Sequence, residues 1–228
     1  MYWEDEKQEE RRKVPDDIVD VVYSIACRCL PVDHAYALSR AIHEALPWFA
    51  SEAGVGMHTI HVAESGNGWM RPDEPDALLH PSRRTKLALR VPRHRVADAE
   101  ALVGKMLAVD EDYTILVNKA SVRPLSDITT LFARYIATDG ADSEMQFMEK
   151  MIAQMRAMDV RPRKMLCGIE KQIHTPEGDV RTRSLMMADL AFEETILLQQ
   201  KGLGEHRRMG CGIFIPHKDI HQISEDLG

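Results

Sequence analysis

The chain has 228 residues, of which 44% are hydrophobic and 29% are charged, so it can form one large domain or two domains of about 100 residues each. It contains no run approaching the roughly 18 apolar residues of a membrane helix, and its acidic, polar start does not resemble a secretory signal. We therefore expect a cytoplasmic protein without a membrane partner. The formal net charge of −7, taken alone, disfavours a nucleic-acid partner.

Positive charge is concentrated towards the end of the chain. Residues 161–218 contain ten Lys and Arg against seven Asp and Glu, whereas the whole chain has a net charge of −7. An ordinary solvated surface explains this local excess equally well, but the excess keeps a nucleic-acid partner open for the last quarter of the sequence.

The first half of the chain predicts the element order β-α-β-β-α-β. After a charged leader over residues 1–17, β-branched residues predict a strand over 18–30, and Asp33 and Pro47 bracket a helical pattern over 34–46. Strands over 55–63 and 85–91, a short helix over 96–103 and a strand hairpin over 105–118 follow. This is the order of a ferredoxin-like unit.

The second half repeats this order without detectable sequence similarity to the first. The patterns predict strands over 129–138, 164–173, 181–190 and 209–215, and helices over 143–158 and 192–200. We therefore predict an α+β fold of two tandem ferredoxin-like (RRM-like) βαββαβ units. The first unit covers residues 18–124 and the second covers residues 125–228.

A glycine-rich loop joins the last predicted helix to the last predicted strand. Gly202, Gly204, Gly210 and Gly212 surround the pair Arg207 and Arg208. Glycine permits positive φ angles and close backbone approach, and two arginines beside exposed backbone N–H groups suit the binding of phosphate oxygens. A helix C-cap followed by an ordinary turn explains one or two of these glycines, but not all four together with the arginines.

The cysteines and histidines show no metal-binding pattern. Cys27 and Cys29 fall on one face of the first predicted strand, and their spacing does not match that of zinc ligands, so we expect free thiols. His58 and His61, three residues apart in a predicted strand, face opposite sides and cannot easily share an ion. No cofactor or metal site is expected.

The glycine-rich loop, at the end of two ferredoxin-like units, resembles the signature of the CRISPR-repeat-cleaving endoribonucleases, the Cas-six family of the repeat-associated RNA-binding superfamily (RAMP). Leu30–Leu46 resembles the first helix of that family, and segments 61–69, 123–132 and 183–190 resemble its myxobacterial-type branch. The resemblance covers about residues 18 to 221.

This resemblance implies a function in antiviral defence. The family cuts the repeats of a long CRISPR transcript into guide RNAs without a metal ion. The 2′-hydroxyl attacks the neighbouring phosphate and leaves a 2′,3′-cyclic phosphate and a 5′-hydroxyl. The implied partners are the CRISPR repeat RNA of the precursor transcript and the interference complex, which many members enter with their product.

The reaction requires a base, an acid and positive charge at the phosphate. The family commonly carries its catalytic side chain on the first helix, at the place of His43, which is our first candidate. Tyr36, two turns earlier on the same face, is a candidate to orient His43 or contact RNA. His34, near the start of the helix, is the second candidate base. Spacing alone favours an ordinary surface or packing role for His43, and the resemblance reverses that preference.

We expect RNA to contact the glycine-rich loop and a basic track beside it. Arg161 with Arg163, and Arg181 with Arg183, would each share one face of a strand. Trp69 is a candidate for base stacking or for packing against the body. Some of these side chains are expected to be ordinary surface charges. The full set of expected RNA contacts is Gly202, Gly204, Arg207, Arg208, Gly210, Gly212, Arg161, Arg163, Lys164, Arg181 and Arg183.

Two other functions fit the same element order. A non-catalytic RNA-binding subunit of a CRISPR effector complex would have the same loop without cleavage, but the histidines of the first helix favour the enzyme. A ferredoxin-like regulatory module for a small ligand would not need the arginines of the loop.

Overall fold

The computed structural model describes residues 13–62, 77–141 and 143–217. Two antiparallel sheets, each with helices on one face, are built from the first and the second part of this chain. Trp69, the candidate for base stacking or for packing against the body, lies outside the described residues. So do positions 1–12 of the charged leader and positions 63–69 of one segment that resembles the myxobacterial-type branch.

The first unit is a five-stranded sheet in the order β3-β5-β1-β7-β6. A separate short ladder joins β2 to β4. The elements in chain order are β1 (Ile18–Ala26), β2 (Leu30–Pro31), α1 (Ala35–Ala45), a 3₁₀ helix (Pro47–Ala50), β3 (Gly56–His58), β4 (Leu78–Leu79), β5 (Lys86–Pro92), a 3₁₀ helix (Arg93–Arg95), α2 (Val96–Glu100), β6 (Met106–Ala108) and β7 (Thr114–Arg123).

Alternation along β1 builds the core of the first unit. Val19, Val21 and Tyr23 are buried on the face that the helices cover, because successive side chains of a strand point to opposite faces. The Tyr23 hydroxyl donates to the Ala99 carbonyl at the end of α2, 2.8 Å away. Burial raises the pKa of Tyr23, so the phenol remains a neutral hydrogen-bond donor.

The second unit is a four-stranded sheet in the order β11-β8-β10-β9. Its first helix, α3, begins with a capping box between Ser143 and Gln146. Phe147, Met151 and Met155 of α3 are buried against the sheet. The elements in chain order are β8 (Leu131–Ala137), α3 (Glu144–Ala157), β9 (Lys164–Ile173), β10 (Val180–Ala188), α4 (Phe192–Lys201), a 3₁₀ helix (Arg207–Met209) and β11 (Phe214–Pro216).

In a ferredoxin-like unit, the first strand of the βαββαβ order lies between the third and the fourth. Both sheets have this order, because β1 lies between β5 and β7, and β8 lies between β10 and β11. The predicted tandem ferredoxin-like fold is thereby confirmed. The exact boundary between the units, placed at residues 124 and 125 by the sequence analysis, stays a prediction. None of the helices in the described part of the chain is long and apolar enough to cross a membrane.

Several element boundaries differ from the sequence prediction, and three of them concern the cysteines, the second strand and the glycine-rich segment. The first strand ends at Ala26, so Cys27 and Cys29 lie after it, with the Cys27 Sγ 3.1 Å from the Cys29 carbonyl oxygen. The second predicted strand is reduced to Gly56–His58. The last strand begins at Phe214 instead of residue 209, because the positive φ angles of Gly210 and Gly212 do not fit extended backbone.

The second unit docks on the face of the first sheet that the helices leave open. Arg90 of β5 is 1% exposed and holds the carboxylate of Asp20 through Nε (2.8 Å) and Nη2 (3.1 Å). Its Nη1 donates to the backbone carbonyls of Gln199 and Phe214, each 2.9 Å away. Arg90 therefore ties the first sheet to the end of α4 and to β11, which bracket the glycine-rich segment (residues 202–213).

Candidate functional site

Helix α1 presents His43 to a cleft between the two units. Leu38 and Ile42 face the core of the first unit and are fully buried, and this fixes the rotation of the helix. His43 is half-buried beside Phe49, with the two ring centroids 5.7 Å apart. The buried Nε2 of His43 has no hydrogen-bond partner among the described residues.

The surroundings of His43 keep its ring neutral. Burial is the larger cause, and the positive charge of Arg208 is the second, and both lower the pKa of His43 from the ordinary value of 6.5. At neutral pH the ring is therefore an uncharged base. A neutral imidazole nitrogen without a partner can accept a proton from a bound molecule.

The glycine-rich segment reaches this cleft by folding back on itself. All four of its glycines have positive φ angles, between 64° and 97°, as the sequence predicts. A side chain at Gly202 would meet the guanidinium of Arg207, with its Cβ 2.5 Å from Nη1. A Cβ at Gly210 would lie 2.6 Å from the side chain of Thr59. The glycines therefore allow the segment to pack closely on itself and against the first unit.

The backbone N–H groups of these glycines are not exposed, contrary to the sequence prediction. The Gly202 N–H donates to the Leu198 carbonyl (2.8 Å), and the Gly204 N–H donates to Gln154 Oε1 (3.0 Å). The Gly210 N–H donates to the Arg207 carbonyl (3.0 Å), and the Gly212 N–H donates to the Tyr135 carbonyl (2.7 Å). These donors hold the fold of the segment, which leaves the arginine side chains as its donors for an anion.

Arg208 connects the glycine-rich segment to the first unit. Its Nε donates to the Phe49 carbonyl and its Nη2 to the Glu52 carbonyl, each at 2.9 Å. Its own carbonyl accepts a hydrogen bond from the Ser39 hydroxyl of α1, also at 2.9 Å. These contacts fix the guanidinium charge of Arg208 beside His43.

Arg207 is largely buried and incompletely hydrogen-bonded. Its Nε is 3.4 Å from the Val55 carbonyl, whereas Nη1 and Nη2 have no partner among the described residues. Burial and the nearby charge of Arg90 lower the pKa of Arg207 to about 10, against the opposing effect of Asp20. The side chain stays charged at neutral pH. Buried donors without acceptors are costly, so this position favours binding of an anion.

These residues share one cleft of about 690 Å³. Its walls come from α1, from the turn after the 3₁₀ helix Pro47–Ala50, and from the glycine-rich segment. Tyr36 lines the same cleft as His43, as their spacing predicts. The lining residues are Tyr36, Ser39, Arg40, His43, Glu44, Glu52, Gly54, Val55, His206, Arg207, Arg208 and Met209.

His34, the second candidate base, has a different environment. It is 1% exposed, and it precedes the first turn of α1 without capping it through its side chain. Its Nδ1 lies 2.8 Å from the Pro31 carbonyl oxygen, and the Ile60 N–H is 3.1 Å from Nε2. The first contact requires a proton on Nδ1 and the second a lone pair on Nε2, so the ring is a neutral tautomer with both nitrogens in use. The structure therefore favours a structural role for His34.

The other basic residues lie away from the cleft. Arg161 and Arg163 precede β9, so the prediction that they share a strand face is wrong, and they line a separate pocket of about 480 Å³ at the start of α4. Lys164 pairs with Asp189 at 3.0 Å. Arg181 and Arg183 both lie in β10, where Arg183 approaches Glu170 at 3.5 Å.

The structure adds His206 to the residues of the cleft. The sequence shows it directly before the two arginines, but its distance in sequence from α1 gave no reason to place it near His43. His58, in contrast, contacts Asp20 at 3.2 Å beside Arg90, a structural position. No group of three or more His, Cys, Asp or Glu side chains in the described ranges can hold a metal ion.

Comparison with known proteins gives consistent matches over almost the whole chain. A family model described as "Cas6 Crispr" matches residues 19–219. The "CRISPR-associated endonuclease Cas6" of Myxococcus xanthus (strain DK1622) is 25% identical over 198 residues, which cover 87% of this chain and 81% of that protein.

Solved structures share the fold at low identity. A structure described as "CRISPR associated protein Cas6" has a TM-score of 0.60 and 12% identity over 88% of this chain and 100% of its own. A Cas6-related protein from Pyrococcus furiosus has a TM-score of 0.59 and 11% identity over 89% of this chain and 99% of its own. A RAMP protein described as binding different RNA substrates has a TM-score of 0.57 and 12% identity over 88% and 100%.

Proposed function

Since the chain belongs to the Cas6 family, we propose that it is an endoribonuclease that cleaves CRISPR repeat RNA in the precursor transcript to give guide RNAs. The relative from Myxococcus xanthus is described as a CRISPR-associated endonuclease. The observation that carries the proposal is the neutral His43, whose Nε2 is without a partner among the described residues, in a cleft bordered by the incompletely bonded Arg207.

In the proposed reaction, the 2′-hydroxyl before the cut attacks the adjacent phosphorus. The O2′–P bond forms and the P–O5′ bond breaks, which leaves a 2′,3′-cyclic phosphate and a 5′-hydroxyl. His43 accepts the proton of the 2′-hydroxyl at Nε2, and its lowered pKa keeps it ready to do so at neutral pH.

The two arginines stabilise the phosphorane-like transition state by charge. Arg207 offers two Nη atoms without a partner among the described residues, and their N–H groups can bind the non-bridging oxygens. Arg208, held by the Phe49 and Glu52 carbonyls, adds a fixed positive charge. Tyr36 either orients His43 or contacts the RNA. Because imidazole and guanidinium groups supply these roles, we propose that cleavage proceeds without a metal ion.

The remaining basic residues are proposed as contacts to RNA outside the cut site. Arg161, Arg163 and Lys164 are mostly exposed near the start of α4 and β9, and Arg181 and Arg183 follow on the adjacent β10. The pairs of Arg161 with Asp159 and of Lys164 with Asp189 are exposed, so their pairing energy is small and phosphate can replace the carboxylates. We further propose that the product-bound protein joins the interference complex.

The proposal is tested with the purified chain and a synthetic RNA that carries a CRISPR repeat of the encoding genome. We expect cleavage at one position in EDTA, at the same rate as in Mg²⁺, and no cleavage of an unrelated hairpin. Tight, repeat-specific binding without cleavage in either buffer would instead support a non-catalytic RNA-binding subunit. Dependence of the rate on Mg²⁺ would contradict the metal-free chemistry alone.

A further inference from the structure

The cleft contains a second histidine, which belongs to a different element from His43. His206 lies in the glycine-rich segment, directly before the 3₁₀ helix Arg207–Met209, and lines the cleft together with His43 and Tyr36. Unlike His43, its side chain is exposed, so a bound RNA can reach the ring without rearrangement of the protein.

The backbone of His206 is held in a conformation that few side chains adopt. Its φ and ψ angles are 60° and 33°, in the left-handed region where glycine is preferred and histidine is found only occasionally. Its carbonyl accepts hydrogen bonds from Met209 N (2.9 Å) and Cys211 N (3.2 Å). These hydrogen bonds fix the backbone of His206. This histidine therefore occupies a left-handed position of the kind that glycine occupies elsewhere in the segment.

Charged groups of both signs surround His206, which is followed directly by Arg207 and Arg208. Glu205 precedes it in the same segment, and Asp139 lies close in the turn after β8. Burial and Glu205 raise the pKa of Asp139, whereas Lys150 and His206 lower it, which places the imidazole within electrostatic reach of this carboxyl. The other charged groups of the cleft are Arg40, Glu44, Glu52, Arg207 and Arg208. Arg208 disfavours the protonated form of His43, so His43 is suited to the role of base and the acid must be a different group.

Cleavage needs a base and an acid on two different groups at one reacting centre, and the cleft presents His43 from α1 and the exposed ring of His206 from the glycine-rich segment. We infer that His206 is the general acid of the cleavage reaction and donates its proton to the 5′-oxygen as the P–O5′ bond breaks. This inference rests on the proposed function. His43 takes the proton of the 2′-hydroxyl, His206 releases one to the leaving oxygen, and exchange with water restores both rings after product release.

A sulfur-substituted RNA tests this role directly. In an RNA whose scissile 5′-oxygen is replaced by sulfur, the leaving thiolate needs no proton, so loss of a general acid has little effect. We expect His206→Asn, which tolerates the left-handed backbone, to slow cleavage of ordinary repeat RNA by about 10²-fold or more. The same variant should cleave the sulfur-substituted RNA within a few-fold of wild type.

The controls separate a proton-transfer role from a structural one. His206→Gly, which adopts the left-handed backbone without strain, should give the same pattern, and His80→Ala, at an exposed histidine outside the cleft, should behave as wild type on both RNAs. His43→Ala should be slow on both. Equal slowing of the His206 variants on both RNAs, or no slowing on either, would overturn the inference.

Two further outcomes are distinguishable from these. If Tyr36→Phe, and not His206→Asn, is rescued by sulfur, the acid is Tyr36 and the inference on His206 is wrong. If the wild-type protein binds both RNAs and cleaves neither, the proposed endoribonuclease function fails and the role of His206 fails with it. Cleavage by wild type with unimpaired His206 variants would leave the proposed function intact and remove only the inference.

Discussion

The two ends of α1 each carry a histidine, and the two rings have opposite surroundings. At the start of the helix, His34 is buried with both ring nitrogens in hydrogen bonds to the backbone. Near its end, His43 is half-buried and lines a cleft, and its buried Nε2 is unpartnered among the described residues. The first ring has no capacity left for a substrate, whereas the second has a lone pair or a proton site to offer.

This difference shows that burial of a histidine does not by itself mark a functional site. A group whose hydrogen bonds are complete stabilises the fold, and a group with unused hydrogen-bonding capacity at a cleft is available for chemistry. The same contrast separates Arg208, whose guanidinium is bonded to two carbonyls, from Arg207, whose two Nη atoms are unpartnered within the described structure.

The largest expected effect concerns His43. His43→Ala should slow repeat cleavage by about 10²- to 10⁴-fold, the usual contribution of a general base, measured under single-turnover conditions. Because the substitution removes a partly buried nitrogen that has no described partner, we expect the midpoint of thermal unfolding to change little. Equal cleavage by the variant and the wild type would contradict a catalytic role for His43 and remove its difference from His34.

His34 should show the reverse pattern. His34→Ala leaves the Pro31 carbonyl and the Ile60 N–H without their partners and opens a cavity, so we expect the free energy of unfolding to fall by about 2–4 kcal/mol. Denaturant titration measures this loss, and the cleavage rate per folded molecule should stay within a few-fold of wild type. A stable His34 variant that binds RNA without cutting it would instead assign the base to His34.

Substitutions of Arg207 and Arg208 should differ in their effects on RNA binding and on stability. Arg207→Met removes a charge with unsatisfied donors, so we expect weaker binding of RNA and a slope of log K against log salt that is shallower by about 1, without loss of thermal stability. Arg208→Met should lower stability, since it removes two hydrogen bonds to carbonyls. If Arg207→Met lowered the thermal stability and Arg208→Met did not, the prediction would be wrong.

The smallest effect is a shift in pH dependence. A neutral His43 is required as base, so the cleavage rate should fall as pH drops through its pKa, which burial and then Arg208 place below 6.5. Arg208→Met removes one cause, so the acidic limb of the rate profile should move to higher pH, whereas Arg208→Lys should leave it nearly in place. Rates measured from about pH 5 to about pH 8, the range in which histidine titrates, test this, and an unmoved limb in the Met variant would count against His43 as the titrating base.

Local patterns of the sequence predict much of the fold. The β-branched residues of β1 and the helical spacing of Leu38 and Ile42 gave the right element types, because β-branched side chains pack well in strands and helical spacing reflects the burial of one face. The four glycines gave the positive φ angles of the segment correctly. The final strand was predicted too early, because apolar residues next to Gly210 and Gly212 resemble a strand although the glycines break it.

The site was predictable only in part, since its contacts join residues far apart in sequence. The bond between Ser39 and Arg208 spans 169 positions, and no local pattern reveals that it brings His206 to α1. The sequence also could not show that the glycine N–H groups are used within the fold. The strand after Arg161 and Arg163 begins at Lys164, as predicted, so the expectation that these two arginines share a strand face did not agree with the predicted boundary.

The central claim, that the RNA's own 2′-hydroxyl is the nucleophile and His43 its base, is tested most directly by a single 2′-deoxy substitution at the scissile nucleotide. With wild-type protein in EDTA, we predict that ordinary repeat RNA yields a 2′,3′-cyclic phosphate and a 5′-hydroxyl. The deoxy RNA should bind with the same affinity and remain intact. Cleavage of the deoxy RNA at the same position would contradict the account, because the attacking group would then be water or another nucleophile.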